Sequence, residues 1–222
     1  MKRGRLISLE GIDGVGKTTC VKYLLEHYFQ GQGTTWQYVN RKEIPTTNSY
    51  VKKHMEYLYA IMWGKGKIFS QAPDVPFNGF NKEHWRYLFL VWYSAFEQHR
   101  IIPLLNKGVS VILDGYFYKE MVKAIESSKT LKTSEEFDFL YKPDLSILLE
   151  ARPEDCIRPD SNSNPVESGS FGGNPKDFIK TQTHMSKIYE ELAEKYHWAK
   201  VKRDKSVEVT CQRIIFQLNT FK

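Results

Sequence analysis

The chain has 222 residues, a formal net charge of +6, 41% hydrophobic and 26% charged residues, enough for one α/β domain with a buried core and short for two. No apolar run could span a membrane, and the lysines are scattered, with a loose run over 195–205 that reads as a solvated face rather than a nucleic-acid stripe. The three cysteines (Cys20, Cys156, Cys211) are odd in number and far apart, which argues against a disulfide framework or a Cys/His metal cluster and for free thiols in the cytoplasm.

The chain opens Met-Lys-Arg-Gly-Arg without the apolar stretch of a secretory signal and runs into a short apolar strand at 6–9. Then comes Gly11-Ile-Asp-Gly-Val-Gly-Lys-Thr18, the G-x-x-x-x-G-K-T phosphate loop. The motif names its ligand: a nucleoside triphosphate held by its phosphates, with magnesium. Gly11, Gly14 and Gly16 admit a tight turn that a Cβ would obstruct. The amides around Asp13, Gly14, Val15, Gly16, Lys17, Thr18 and Thr19 form an anion nest at the start of a helix. Lys17 can reach the β- and γ-phosphates, and the Thr18 hydroxyl can ligate magnesium. Val21, Leu24, Leu25 and Tyr28 recur at helical spacing.

Residues 36–40 predict a second strand, followed by a polar loop from Arg41, where doubly wound sheets place ligand contacts. A helix is expected over 49–62, an irregular segment over 63–81, and a long aromatic-rich helix over 83–105. A buried strand at 109–113 ends on Asp114, and a helix follows over 116–127. Further on, the pattern gives a strand at 143–149, a polar glycine-containing lid at 152–176, a helix at 177–196, a strand at 199–201 and a helix at 206–218. This alternation implies a three-layer α/β sandwich, mostly parallel and doubly wound, as one domain over 1–222.

Asp114 stands where P-loop proteins keep a carboxylate for the magnesium shell; a turn-forming aspartate is the simpler alternative. Taken with residues 9–19, the segments 102–114, 142–149, 153–158, 178–195 and 204–208 resemble the thymidylate kinase family of P-loop nucleoside monophosphate kinases almost end to end. The resemblance implies transfer of the ATP γ-phosphoryl group to a nucleoside 5′-monophosphate, typically dTMP, with magnesium. It places Asp13 near the acceptor sugar, Arg41 at the acceptor phosphate and Asp114 among the phosphates and magnesium. It also implies a homodimer packing near the long helix, for which Trp85, Phe89, Trp92 and Phe96 are candidates; core packing explains these aromatics equally well.

Three departures stand out. The family's D-R-Y/F/H signature reads Asp114-Gly115-Tyr116, so its arginine is missing. Phe89 can still stack on a base, but the base-reading arginine is replaced at Tyr93, Ser94 or Ala95, depending on alignment. The P-loop also lacks an arginine, which leaves Arg152 or Arg158 of the lid to supply a catalytic one. Lys119, Arg86 and Arg100 are alternative cations, each read first as an exposed helix charge. These departures keep open an acceptor other than dTMP (another nucleotide, a nucleoside or a small metabolite) and a non-catalytic nucleotide-binding role.

Overall fold

In a computed structural model of the chain, residues 2–43, 46–63, 80–157 and 175–221 are described. The strands are β1 (Leu6–Glu10), β2 (Trp36–Tyr38), β3 (Ser110–Leu113), β4 (Leu145–Glu150) and β5 (Ala199–Lys202). They form one parallel sheet in the order β2-β3-β1-β4-β5, with Ile7 opposite both Ile112 and Leu145. β1 and β3 are buried along their whole length, as strands covered on both faces must be. The α/β architecture expected of a P-loop kinase is the one observed.

The helices are α1 (Lys17–His27), α2 (Ser49–Trp63), α3 (Lys82–Phe96), α4 (Ile102–Asn106), α5 (Tyr118–Ser128), α6 (Pro175–Lys195) and α7 (Val207–Thr220). α1 packs on α7, while α3 packs on α2 and α5, and α5 on α6. Among the described residues, no helix is long and apolar enough to cross a membrane.

The single helix expected over 83–105 is instead α3 and α4 joined by a π turn, Glu97–Ile101. Pro103 has no N–H and its ring crowds the preceding turn, so the regular ladder cannot run through it. Buried Glu97 holds the wide turn from outside, accepting from the Tyr116 hydroxyl at 3.3 Å and the Tyr141 amide at 2.7 Å. A 3₁₀ turn at Leu131–Phe137 carries no periodic apolar signal and was not expected. Residues 64–79 and 158–174, which hold most of the irregular segment and of the expected lid, lie outside the described residues. Of the aromatics considered for a dimer, Trp92 and Phe96 are fully buried in the core, and Trp85 and Phe89 are half-buried.

Candidate active site

The turn after β1 is made by its glycines. Gly11, Gly14 and Gly16 have φ of +134°, +79° and +103°, a region that favours glycine. A Cβ on Gly11 would lie 2.6 Å from the Leu149 carbonyl oxygen, and one on Gly14 would lie 2.1 Å from that of Cys156. Gly16 caps α1, which aims its first amides at the loop. Lys17 folds over this turn, donating to the carbonyls of Gly11 at 2.7 Å and Ile12 at 2.9 Å. Burial pushes its pKa down, and Asp13 and Glu10 act against that.

Asp114 leaves the end of β3 directly across from the start of α1. The Thr18 hydroxyl donates to Asp114 Oδ2 at 2.5 Å, and burial together with the charge of the same carboxylate raises the Tyr38 pKa. Two hard oxygen donors thus converge beside the phosphate loop. This set suits magnesium, which takes one or two carboxylates and completes its shell with phosphates and water.

A second cluster lies on the other side of the loop. Lys119 of α5 donates to both oxygens of Asp13, at 2.7 and 3.0 Å. Burial opposes the Asp13 charge, but Lys119 and Lys17 overcome it and hold the pKa at about 2. Burial lowers the Lys119 pKa to about 8 against the pull of Asp13. Gln182 of α6, itself buried, accepts from the Asp13 amide at 3.0 Å. Lys119 is therefore not the exposed helix charge that the sequence reading preferred.

Arg41 joins this cluster from the turn after β2. The Asn40 side chain accepts from the Lys42 amide, and Trp92 Nε1 donates to the Arg41 carbonyl at 3.0 Å, which ties the turn to α3. Burial works against the guanidinium charge, yet Tyr93, Glu120, Asp13 and Asp114 outweigh it and raise the pKa. Burial raises the Tyr93 pKa against the pull of the Arg41 charge, and the Tyr93 hydroxyl donates to the Tyr116 carbonyl at 3.2 Å. The Tyr116 ring is fully buried and its hydroxyl donates to Glu97. Phe89, one turn before Tyr93, sits edge-on to Trp63 with the Lys123 ammonium 5.9 Å over its ring.

A cavity of about 160 Å³ lies behind the loop, lined by Gly14, Thr19, Cys20, Cys156, Asp204 and Val207, among others. Arg203 closes its wall, donating to the Asp155 carbonyl at 2.9 Å and the Gly14 carbonyl at 3.5 Å. The late 204–208 segment thus meets the phosphate loop.

A family model for thymidylate kinase matches residues 9–214. The chain belongs to the thymidylate kinase family. It is 26% identical over 217 residues to a thymidylate kinase of Dictyostelium discoideum, covering 94% of this chain and 82% of that one. A probable thymidylate kinase of Pyrococcus abyssi is 32% identical over 159 residues, 70% of this chain and 69% of its own. A Clostridium novyi thymidylate kinase is 27% identical over 205 residues, 88% of each.

Three other candidate cations of this thymidylate kinase family member are engaged elsewhere. Arg86 pairs with Glu136 at 2.9 Å, and Arg100 with Glu43 at 3.7 Å. Neither is the solvated helix charge expected of it. Arg152 is exposed and pairs with Asp155 at 2.9 Å, while Arg158 lies outside the described residues. Gln182 and Arg203 escaped the sequence analysis, which named Lys119 only as an alternative cation.

Proposed function

We propose that this chain transfers the γ-phosphoryl group of ATP to dTMP, giving dTDP and ADP. The observation that carries the reading is the placement of two polar clusters on either side of one phosphate loop in a thymidylate kinase family member. Thr18–Asp114 is the donor cluster and Asp13–Lys119–Arg41 the acceptor cluster. Lys17, with the loop amides of 14–19, holds the donor phosphates. Thr18 and Asp114 hold magnesium, which when bound shields the donor oxygens. Arg41 meets the acceptor phosphate, Asp13 faces the acceptor, and Phe89 and Tyr93 border its base. Phosphoryl transfer needs little covalent help, so this positioning and charge balance supply the catalysis.

The test is ADP release from magnesium-ATP across a panel of nucleoside monophosphates and nucleosides. We expect dTMP to be preferred, and Lys17→Ala to lower turnover by about 10³-fold or more. A stronger preference for another acceptor would redefine the substrate, and absence of turnover with every acceptor would remove the reading.

Three buried free thiols favour a reducing compartment, and we place the enzyme in the cytoplasm. We also assign it a homodimer. Tyr50, Tyr87, Val91 and Phe139 are exposed around a groove of about 790 Å³ on the outer face of α2 and α3, and apolar patches of this kind mark interaction sites. Light scattering should give a dimer mass, and Val91→Glu should give a monomer.

A further inference from the structure

Gly115 has φ +103°, and a Cβ built on it would point between Lys17 Cε at 3.8 Å and Arg41 Nη1 at 3.9 Å. Those are ordinary van der Waals distances, but the backbone is in the left-handed region and strains any other residue. An arginine at 115 is therefore disfavoured by this backbone. The need for positive charge remains. Glu10, Asp13 and Asp114 already act on Lys17, and Glu120, Asp13 and Asp114 on Arg41. Nucleotide phosphates entering this cluster add further negative charge, which only positioned cations can offset.

Lys119 meets that need. It lies four positions after Gly115, its side chain is about 10% exposed, and it holds both Asp13 oxygens. Lys123, the next cation on α5, is engaged with Glu120 at 3.2 Å. Stability alone is a poor reason for the Lys119–Asp13 pair, because a buried ion pair is often no better than well-packed apolar residues. Its position on the phosphate loop gives it a task that packing does not.

We propose that Lys119 is the positioning residue for the acceptor: it fixes and neutralises Asp13 so that a nucleoside monophosphate can approach the loop, supplying the charge that this backbone does not carry at Gly115. The inference rests on the acceptor reading above.

The experiment compares the full chain with Lys119→Met, Lys119→Arg, Asp13→Asn and the Lys119→Met/Asp13→Asn double variant. Kinetics with dTMP and ATP, calorimetric dTMP binding and melting temperature are measured for each. Lys119→Met should raise both KM and Kd for dTMP by about 10- to 100-fold, with the ATP KM within about two-fold. Lys119→Arg should recover most of that loss, and the double variant should lose less than the product of the single losses. The inference is overturned if Lys119→Met leaves the dTMP constants within two-fold, or if it weakens dTMP and ATP equally while lowering the melting temperature. A wild-type chain that turns over no nucleoside monophosphate would instead overturn the underlying function.

Discussion

The two sides of the phosphate loop are built from different materials. The donor side is mostly backbone: amides at the start of α1, glycines in left-handed conformations, and one hydroxyl–carboxylate pair. The acceptor side is mostly side chains, brought together from the turn after β2, from α3, from α5 and from α6. A backbone site depends on a short stretch of sequence and tolerates no change there. A side-chain site depends on distant elements meeting, so its residues can be exchanged between positions provided that charge is conserved. Gly115 and Lys119 illustrate the second kind.

The sharpest way to break the donor side is Gly14→Ala. The new Cβ would meet the Cys156 carbonyl, a backbone atom that cannot swing away. Strain and overpacking together should cost about 4 kcal/mol, read as a fall in melting temperature and at least about a 10²-fold loss of ATP affinity. Unchanged ATP binding in this variant would show that the loop is softer than its geometry implies.

Glu10 lies beneath both sides. It is fully buried at the end of β1, accepting from the Tyr116 amide at 3.0 Å. Burial raises its pKa from 4.5 to about 7, against the pull of Lys17. The folded state therefore binds a proton that the unfolded state has already lost between these values. The stabilising effect is complete below pH 4.5 and is lost as pH rises through 7, on the order of 3 kcal/mol for Glu10 alone. Glu97, raised to about 7 by burial, adds to the same window. Urea unfolding at pH 5 and pH 8 should show the wild type weakening, with Glu10→Gln removing roughly half of that slope. Equal slopes in the two proteins would mean that Glu10 ionises without penalty.

Arg41→Met tests the acceptor side as Gly14→Ala tests the donor side. Removing a charge-assisted contact should raise the dTMP KM by about 10- to 150-fold, with little change in the ATP KM. Comparable losses for both substrates would merge the two clusters into one.

The same contrast explains what the sequence made legible. Five strands, the phosphate loop and Asp114 all follow from local pattern, because apolar runs and glycine spacing act over a few residues. Lys119 was misread because a lone lysine on a helix is normally solvated, and Asp13, which it pairs with, stands 106 positions earlier. Pro103 interrupts the helix within a local window, but the contacts of Glu97 with Tyr116 and Tyr141 that hold the π turn lie outside it. Arg203 reaches the loop over 189 positions. Tyr116 carried a family signature yet faces the core, since its hydroxyl finds Glu97 there.

The smallest expected effect bears on whether a further arginine completes the donor side. Arg152 is 80% exposed, and its guanidinium is held by Asp155 three residues on, at 2.9 and 3.2 Å. An exposed pair of this kind is screened by water and contributes little. Arg152→Ala should therefore change kcat with dTMP by less than about two-fold, whereas loss of a true catalytic arginine costs about 10³- to 10⁵-fold. A loss of that larger size would make Arg152 part of the donor cluster and give that side a long-range side-chain contribution. A null effect leaves Lys17, Arg41, Lys119 and Arg203 as the cations that the described residues bring to the phosphate loop, and Arg158→Ala then becomes the variant that tests for a further one.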